Sequence, residues 1–427
     1  MTQSWFHRAC SALIAALLLC QTGCSGKHEQ APLSEANNPA APAAAESLIE
    51  RGRYLARAGN CGACHTAANG DFAGGVAFET PFGKLYSANI TPDAQTGIGS
   101  WTGEQFRLSL RKGVRPNGDN LYPVFPYTEF TNVTDEDAAA LFAFLKSLPA
   151  VRFSVPQNDM SFPYNRRSLM SVWKAMFFYE GPYQPRPAQS AEWNRGAYLV
   201  TGLGHCSACH SPRNALGAER PSMAMTGGVY ADRVPNGAVR PWSAPNLTSL
   251  PQGLGAWSAE EISAYLKTGA NSYAATFGPM NEVIMNSTRH LSDTDLHAMA
   301  VYLKSLPPNE AEPARTAKAE VLQAGENVYN VNCGTCHEPN GLGADDSGPR
   351  LAGSLVVQAQ NPASLINSIL YGPQLPDPAP PTHAWRPMDA YGDKLSDEEV
   401  ASLASYLRNA WNNKGGEVTA EQVAKQR

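Results

Sequence analysis

The five residues CGACH at 61–65 occur in two further versions, CSACH at 206–210 and CGTCH at 333–337. Six of the nine cysteines of the chain lie in these three motifs. Two cysteines separated by two residues and followed directly by histidine are typical of covalent haem c. The two thiols bond the haem vinyl groups, and the adjacent imidazole binds the iron. The sequence therefore predicts three covalent haems c.

The predicted haem-binding residues are Cys61, Cys64, His65, Cys206, Cys209, His210, Cys333, Cys336 and His337. Other uses of a Cys-x-x-Cys pair fit this pattern less well. A disulfide or a thioredoxin-like dithiol does not need a histidine in every copy. A zinc site would need further ligands, and Cys24 is the one spare cysteine expected in the mature chain.

The sequence around the motifs repeats as well, which predicts three similar helical domains. A short helical stretch before each motif begins at Gly52, Gly196 or Gly325. The helix that closes each unit starts with an N-cap residue and has an acidic residue three positions later, the pattern of a capping box. These pairs are Thr134 and Asp137, Ser292 and Asp295, and Ser396 and Glu399.

The repeats and the composition divide the chain into eight segments. They are a signal peptide (1–23), a flexible tether (24–46), a first domain (47–155), an interdomain segment (156–190), a second domain (191–310), a linker (311–322), a third domain (323–413) and a mobile tail (414–427). The interdomain segment is too apolar for a simple linker. It either packs between domains or forms a surface for a partner or a membrane.

The amino terminus indicates export. The apolar run SALIAALLLC is too short to span a bilayer and is followed by QTGC, which resembles a bacterial lipoprotein signal ending at Cys24. We expect a protein on the periplasmic side, attached to the membrane surface by lipid at Cys24; ordinary cleavage near the same point is the alternative. The net charge of -5, with scattered basic residues, predicts no binding to nucleic acid.

The second axial ligand of the iron in small cytochromes c is commonly methionine, whose soft thioether raises the reduction potential. Met280, in GPMNEV, and Met388, in RPMDAY, lie on loops ahead of the last helix of their units and are the predicted ligands. Met285 competes with Met280, and His383 competes with Met388. We expect the remaining histidines, His28, His205, His290 and His297, to lie at the surface. Pro349 is placed to offer His337 a backbone carbonyl.

The first domain lacks such a methionine. The corresponding stretch, LYPVFPY, has Phe125, and between Cys61 and Ala150 there is no methionine and no histidine besides His65. A methionine of the following segment could serve instead, with Met170 favoured over Met160 and Met176. An open or water-bound iron, a lysine or another ligand are the alternatives.

With three such units and the stretches SANITPD, LYPVFPY, EWNRGAYLVTGLGHCSACHSPRN, GPMNEV and RPM, residues 48 to 413 resemble the three-haem cytochrome c subunits of bacterial membrane-bound dehydrogenases. The resemblance implies a mainly α fold of three tandem class I cytochrome c-like helical domains, each around one covalent haem c. Members that serve alcohol dehydrogenases typically have methionine where this chain has Phe125. The sequence PVFPY looks more like members that serve molybdenum hydroxylases.

The resemblance implies a role in electron transfer. The partner would be a catalytic dehydrogenase or molybdenum hydroxylase subunit, and the acceptor ubiquinone or a terminal oxidase. The sequence contains no motif for a nicotinamide, a nucleotide or a catalytic zinc, so we expect no substrate chemistry in this chain. Two other functions fit the haem motifs: a peroxidase-like haem enzyme with an open iron in the first domain, and a stand-alone periplasmic electron shuttle.

Overall fold

The computed structural model describes residues 40–233, 239–309, 315–373, 375 and 385–427. The signal peptide, Cys24, His28 and His383 lie outside the described residues. Residues 44–427 form one compact unit. The predicted mainly α fold is confirmed, and the strands are short. None of the described helices is both long and apolar enough to pass through a bilayer.

The first domain contains five helices and a hairpin. The helices are α1 (Ala40–Ala58), α2 (Cys61–His65), α3 (Gly103–Lys112), α4 (Tyr127–Phe130) and α5 (Asp135–Ser147), and the hairpin strands are β1 (Ala77–Thr80) and β2 (Gly83–Tyr86). Helix α1 begins inside the segment predicted to be a flexible tether. That prediction is wrong from Ala40 onward, because alanine, abundant here, is the best helix former.

The interdomain segment adds β3 (Asp159–Met160) to the edge of this hairpin and forms α6 (Leu169–Phe177). It packs between domains, as one interpretation predicted: Trp173 is buried and its indole N–H donates to the Leu216 carbonyl of the second domain over 2.9 Å. The opposite side of the segment is exposed and apolar at Phe162, Leu169, Val172, Met176 and Tyr179. The interpretation as a partner or membrane surface therefore stays a prediction.

The second and third domains repeat this plan. The second contains α7 (Ala191–Tyr198), a π-helical turn (Leu199–Leu203), α8 (Ser207–His210), the antiparallel pair β4 (Gly228–Arg233) and β5 (Val239–Ala244), α9 (Ala259–Thr268), α10 (Met280–Asn286) and α11 (Asp293–Lys304). Short 3-10 turns cover Pro221–Met223, Leu254–Ala256 and Thr288–His290. The third contains α12 (Ala319–Asn332), α13 (Gly334–His337), α14 (Ala363–Tyr371), α15 (Asp397–Asn409) and α16 (Ala420–Ala424). Helix α12 starts within the predicted linker.

The three repeated glycines mark where the first and last helices of each domain cross. A Cβ atom at Gly52, Gly196 or Gly325 would overlap a backbone carbonyl oxygen of the closing helix, at Ala140, Ala298 and Ser402 respectively. Only glycine lets the two backbones approach this closely without displacing one of them. The repeated glycine is therefore a packing requirement that all three domains share.

The predicted N-caps are confirmed, but two of the three capping boxes are wrong. Ser396 and Glu399 form the complete box. In the first two domains the shorter Asp carboxylate does not accept from its N-cap backbone, and a tyrosine of the other domain bonds both groups instead. Tyr198 accepts from the Thr134 N–H over 3.3 Å and donates to Asp137 over 2.6 Å.

The same arrangement occurs in the opposite direction. Tyr54 of the first domain accepts from the Ser292 N–H over 3.2 Å and donates to Asp295 of the second domain over 2.6 Å. Arg195 also donates to Asp295, just as Arg51 donates to Asp137. Although burial raises the pKa of Asp295, the hydrogen bonds from Arg195 and Tyr54 hold it below its usual value. The first two domains thus exchange equivalent tyrosines across their contact.

The third domain has its own core and joins the second through β5 and α14. The Ser243 N–H donates to Ser364 Oγ over 2.9 Å, and Ser364 Oγ–H donates to the Ser243 carbonyl over 2.8 Å. Asn367 also donates to the carbonyl of Pro241. This contact fixes one strand of the second domain against a helix of the third.

The carboxyl-terminal segment is not the mobile tail that the sequence predicts. Val418 and Val423 are buried against α15, and the Val418 N–H donates to Ser405 Oγ over 2.8 Å. The buried guanidinium of Arg408 donates to the Gly416 carbonyl. The two valines lie five residues apart in a polar stretch, and two apolar residues alone make no clear periodic pattern in the sequence.

Candidate haem-binding sites

Each motif histidine is fixed by one hydrogen bond to a backbone carbonyl. Nδ1 of His65 lies 2.7 Å from the Ala88 oxygen, Nδ1 of His210 lies 2.8 Å from that of Pro245, and Nδ1 of His337 lies 2.7 Å from that of Pro349. A carbonyl can only accept, so Nδ1 carries the proton and the lone pair of Nε2 is free for iron. The predicted contact between Pro349 and His337 is confirmed.

Burial supports the same protonation state. It lowers the pKa of His65, His210 and His337, against the opposing effect of each carbonyl hydrogen bond. A neutral imidazole is the form that binds a metal. The short helices α2, α8 and α13 each end at this histidine, so both cysteines lie within one turn of it.

The loops that supply two of these carbonyls are built alike. In SANIT the Thr91 N–H donates to Asn89 Oδ1 over 2.9 Å, and in APNLT the Thr248 N–H donates to Asn246 Oδ1 over 2.7 Å. The asparagine closes a turn on its own backbone and so orients the carbonyl that precedes it. The sequence showed this repeat, but only the structure shows that the carbonyl before each asparagine accepts the hydrogen bond of the motif histidine.

The six motif cysteines are free thiols in apolar surroundings. None of the three pairs forms a disulfide. Burial raises the pKa of Cys61 and of Cys206 to about 12. The described residues also hold no group of three His, Cys, Asp or Glu side chains placed to share a metal ion. The thiols are thus available for thioether bonds beside a neutral histidine.

One cavity of about 440 Å³ is lined by residues of both the second and the third motif. Its wall includes His210 and Met280 from the second domain, and His337 and Met388 from the third. Met285, the competitor of Met280, does not line it; its sulfur accepts a hydrogen bond from Arg289 over 3.0 Å. The structure therefore places each predicted methionine in the same cavity as the histidine of its own motif.

The lining of this cavity fits a haem. Its walls are mostly apolar, with Trp257, Ile262, Leu266 and Met299 in the second domain and Leu351, Leu355, Leu403 and Leu407 in the third. The buried indole N–H of Trp242, also on the wall, has no acceptor among the described residues and suits a carboxylate such as a haem propionate. A haem bound by histidine and methionine supplies one-electron chemistry at a raised potential.

The first domain differs at Phe125. This ring packs edge-on against Phe130 with centroids 5.3 Å apart, and it contacts the cluster of Tyr127, Trp173 and Ala218. Met170 packs against the same cluster, whereas Met176 is mostly exposed and Met160 lies in β3. Of the three borrowed donors, Met170 thus shares its surroundings with Phe125, and its role as a ligand stays a prediction.

His205 is a residue that sequence reasoning missed. The structure leaves this residue half-buried, with its ring 5.6 Å from that of Phe130 and on the cavity wall, in contrast to the surface position that we expected. Its backbone has a φ of 35°, a left-handed conformation that histidine rarely adopts. A histidine that directly precedes a haem motif was the available signal, and it is too weak to separate a buried ring from an exposed one.

Two family models match this chain. The model described as cytochrome c matches residues 49–149 and 194–307, and the model described as cytochrome c oxidase, cbb3-type, subunit III matches residues 320–407. The three matches coincide with the three domains that contain the motifs. The third domain is matched by a different model from the first two.

Curated relatives are similar along nearly the whole chain. One of the subunits of nicotinate dehydrogenase from Pseudomonas putida is 41% identical over 95% of this chain, which spans only 33% of that relative. The cytochrome c subunit of alcohol dehydrogenase (quinone) from Gluconacetobacter polyoxogenes is 39% identical over 90% of this chain and 85% of its own length. The fructose dehydrogenase cytochrome subunit of Gluconobacter japonicus is 35% identical, over 97% and 88% respectively.

Replacing Met280 with leucine is expected to remove the thioether ligand while keeping the apolar volume. One haem should lose its methionine–iron charge-transfer band, and its potential should fall by on the order of 0.1 V, within the ~0.8 V range that axial ligands span. Absorption spectra and a redox titration measure both effects. The control is Met285→Leu, which should change neither; the reverse result would assign the ligand to Met285.

Replacing Phe125 with methionine is expected to give the first haem the ligand that the other two loops already carry. One new charge-transfer band should appear, and the potential of one haem should rise, because thioether ligation stabilises ferrous iron. The assignment fails if the wild-type protein already shows three methionine-ligated haems and keeps them when Met160, Met170 and Met176 are replaced one at a time.

Proposed function

Because this chain belongs to the cytochrome c family, and within it to the cytochrome c subunits of membrane-bound dehydrogenases, we propose that it relays electrons through three covalent haems c. The electron-transfer role follows from the family. The number of haems rests on the three motifs, whose histidines are all held at Nδ1 by a carbonyl.

In this proposal each motif binds one haem through its two cysteines, and its histidine supplies the first axial ligand. Met280 and Met388 supply the second ligand for two haems, which the shared cavity supports. The first haem is completed by Met170 or has no strong second ligand. Without a thioether its potential would be the lowest of the three, which suits the point where electrons enter.

We propose that the electrons come from a catalytic dehydrogenase or molybdenum hydroxylase subunit on the periplasmic side. The names of the relatives support this class of partner, since they include subunits of a nicotinate and of an alcohol dehydrogenase. The acceptor in this proposal is ubiquinone or a terminal oxidase. Oxidation of the substrate belongs to the partner, because the motifs of this chain provide for haem alone.

The relay role predicts that the purified chain is reduced by its partner plus substrate, and not by substrate alone. Stopped-flow absorption at the haem bands, with and without the catalytic subunit, measures this, and an assay of haem per chain should return three. Reduction by an alcohol or aldehyde without another subunit would place catalysis in this chain. A ratio of two haems or fewer, with all three motifs intact, would contradict the haem count.

Attachment to the membrane by lipid at Cys24 is the second part of the proposal. Several acyl chains at about 0.8 kcal/mol for each buried methylene group would hold the protein at the surface. Replacement of Cys24 by serine should therefore release the protein into the soluble fraction, as detected by immunoblotting of separated membranes. A variant that stays on the membrane without its partner would shift the anchor to the exposed apolar residues of the interdomain segment.

A further inference from the structure

Two carboxyl groups lie together at the contact between the first and second domains. Glu129, on α4, is 6% exposed, and its carboxyl group lies close enough to that of Glu219 from the second domain for the two to interact. The side chain of Glu219 is 23% exposed, so it connects the pair to water. Two carboxylates at one buried site repel each other strongly, and the binding of a shared proton by the pair is therefore sensitive to any nearby change of charge.

This pair lies directly beside the second haem motif. The Ser207 hydroxyl, between Cys206 and Cys209, donates to Glu129 Oε1 over 3.2 Å. The Thr128 hydroxyl donates to Oε2 over 2.6 Å. Glu129 also follows Phe125 by four residues, at the end of the first-domain loop. A change of charge at the second haem is therefore felt by the pair, and the reverse holds as well.

The groups that face the pair do not neutralise it. Arg213 Nη2 lies 3.7 Å from Glu219 Oε1, which accepts no hydrogen bond from the described residues. Burial, with the charge of Glu219, raises the pKa of Glu129 well above its usual value, and Arg213 opposes this shift. His205 lies nearby against Phe130, and burial lowers its pKa, which favours the neutral ring. One arginine thus faces two carboxyl groups.

We propose that Glu129 and Glu219 form a proton-binding site that is linked to reduction of the haem at Cys206 and Cys209. Uptake of one electron from the catalytic partner by that haem would be accompanied by uptake of one proton from water by the pair, through Glu219. Reoxidation passes the electron on and returns the proton. The charge of the buried contact is then the same in both states, which avoids the cost of an uncompensated buried charge. The proposal rests on the second haem proposed above.

The test is the pH dependence of the three reduction potentials of the full chain, measured by spectroelectrochemistry from about pH 5 to about pH 9. Because protonation favours the reduced state, one potential should fall as the pH rises, with one proton taken up for each electron. Glu129→Gln should abolish this slope. The control Glu136→Gln, at an exposed position in the first turn of α5, should retain it. The shift caused by Met280→Leu identifies the haem concerned.

The variant Glu219→Gln is a second, independent test of the linkage between the proton and the electron. Removing the neighbouring charge should lower the pKa of Glu129 and move the sloping region to lower pH. The linkage would be overturned by any of three results. The wild-type potentials could prove independent of pH, the pH dependence could persist in Glu129→Gln, or it could remain in the same pH range in Glu219→Gln. A haem missing at the second motif would appear as a two-haem spectrum and would contradict the proposed function instead.

Discussion

The hydrogen bond from each motif imidazole to a backbone carbonyl is the constraint on which the rest of the structure depends. It fixes the ring so that Nε2 points away from the carbonyl, and it ties the motif to a residue 23, 35 or 12 positions further along the chain. The loop that follows must therefore return to the same place in every domain. A closing helix then crosses the first helix at the repeated glycine.

The first two domains add a second constraint that the third lacks. Each uses the tyrosine of its first helix to complete the start of the other domain's closing helix, through Tyr198 and Asp137 and through Tyr54 and Asp295. Hydrogen bonds to charged groups contribute about 1.5–3 kcal/mol each, so the exchange favours the paired arrangement over separate domains. The equivalent Tyr329 instead donates to the Glu338 carbonyl of its own domain. The third domain is therefore free to join the second through a different surface.

The sequence predicted what repeats and missed what depends on contacts between the repeats. The motifs, the N-caps and Pro349 follow from local spacing, and the structure confirms their positions. Asp137 and Glu399 occupy the same place in the pattern, yet only Glu399 closes its capping box. The local difference is one methylene group, since a capping box needs the longer Glu or Gln side chain, and the tyrosine bound to Asp137 comes from another domain. The half-buried position of His205 and the burial of the tail have the same origin: neighbours distant in the sequence.

The second domain contacts both of the others, and this position affects how a charge at its haem motif is stabilised. Its cavity continues into the third domain, while its haem motif meets Glu129 of the first. A charge that arrives at the second motif is thus surrounded by protein and is poorly compensated by water. The walls that would hold the haem are mostly apolar, Trp242 can donate a single hydrogen bond, and the cationic side chains on the lining are Arg350 and Arg386. A titratable pair at the edge of this site, open to water through Glu219, is the kind of group that can adjust its charge to each electron that passes.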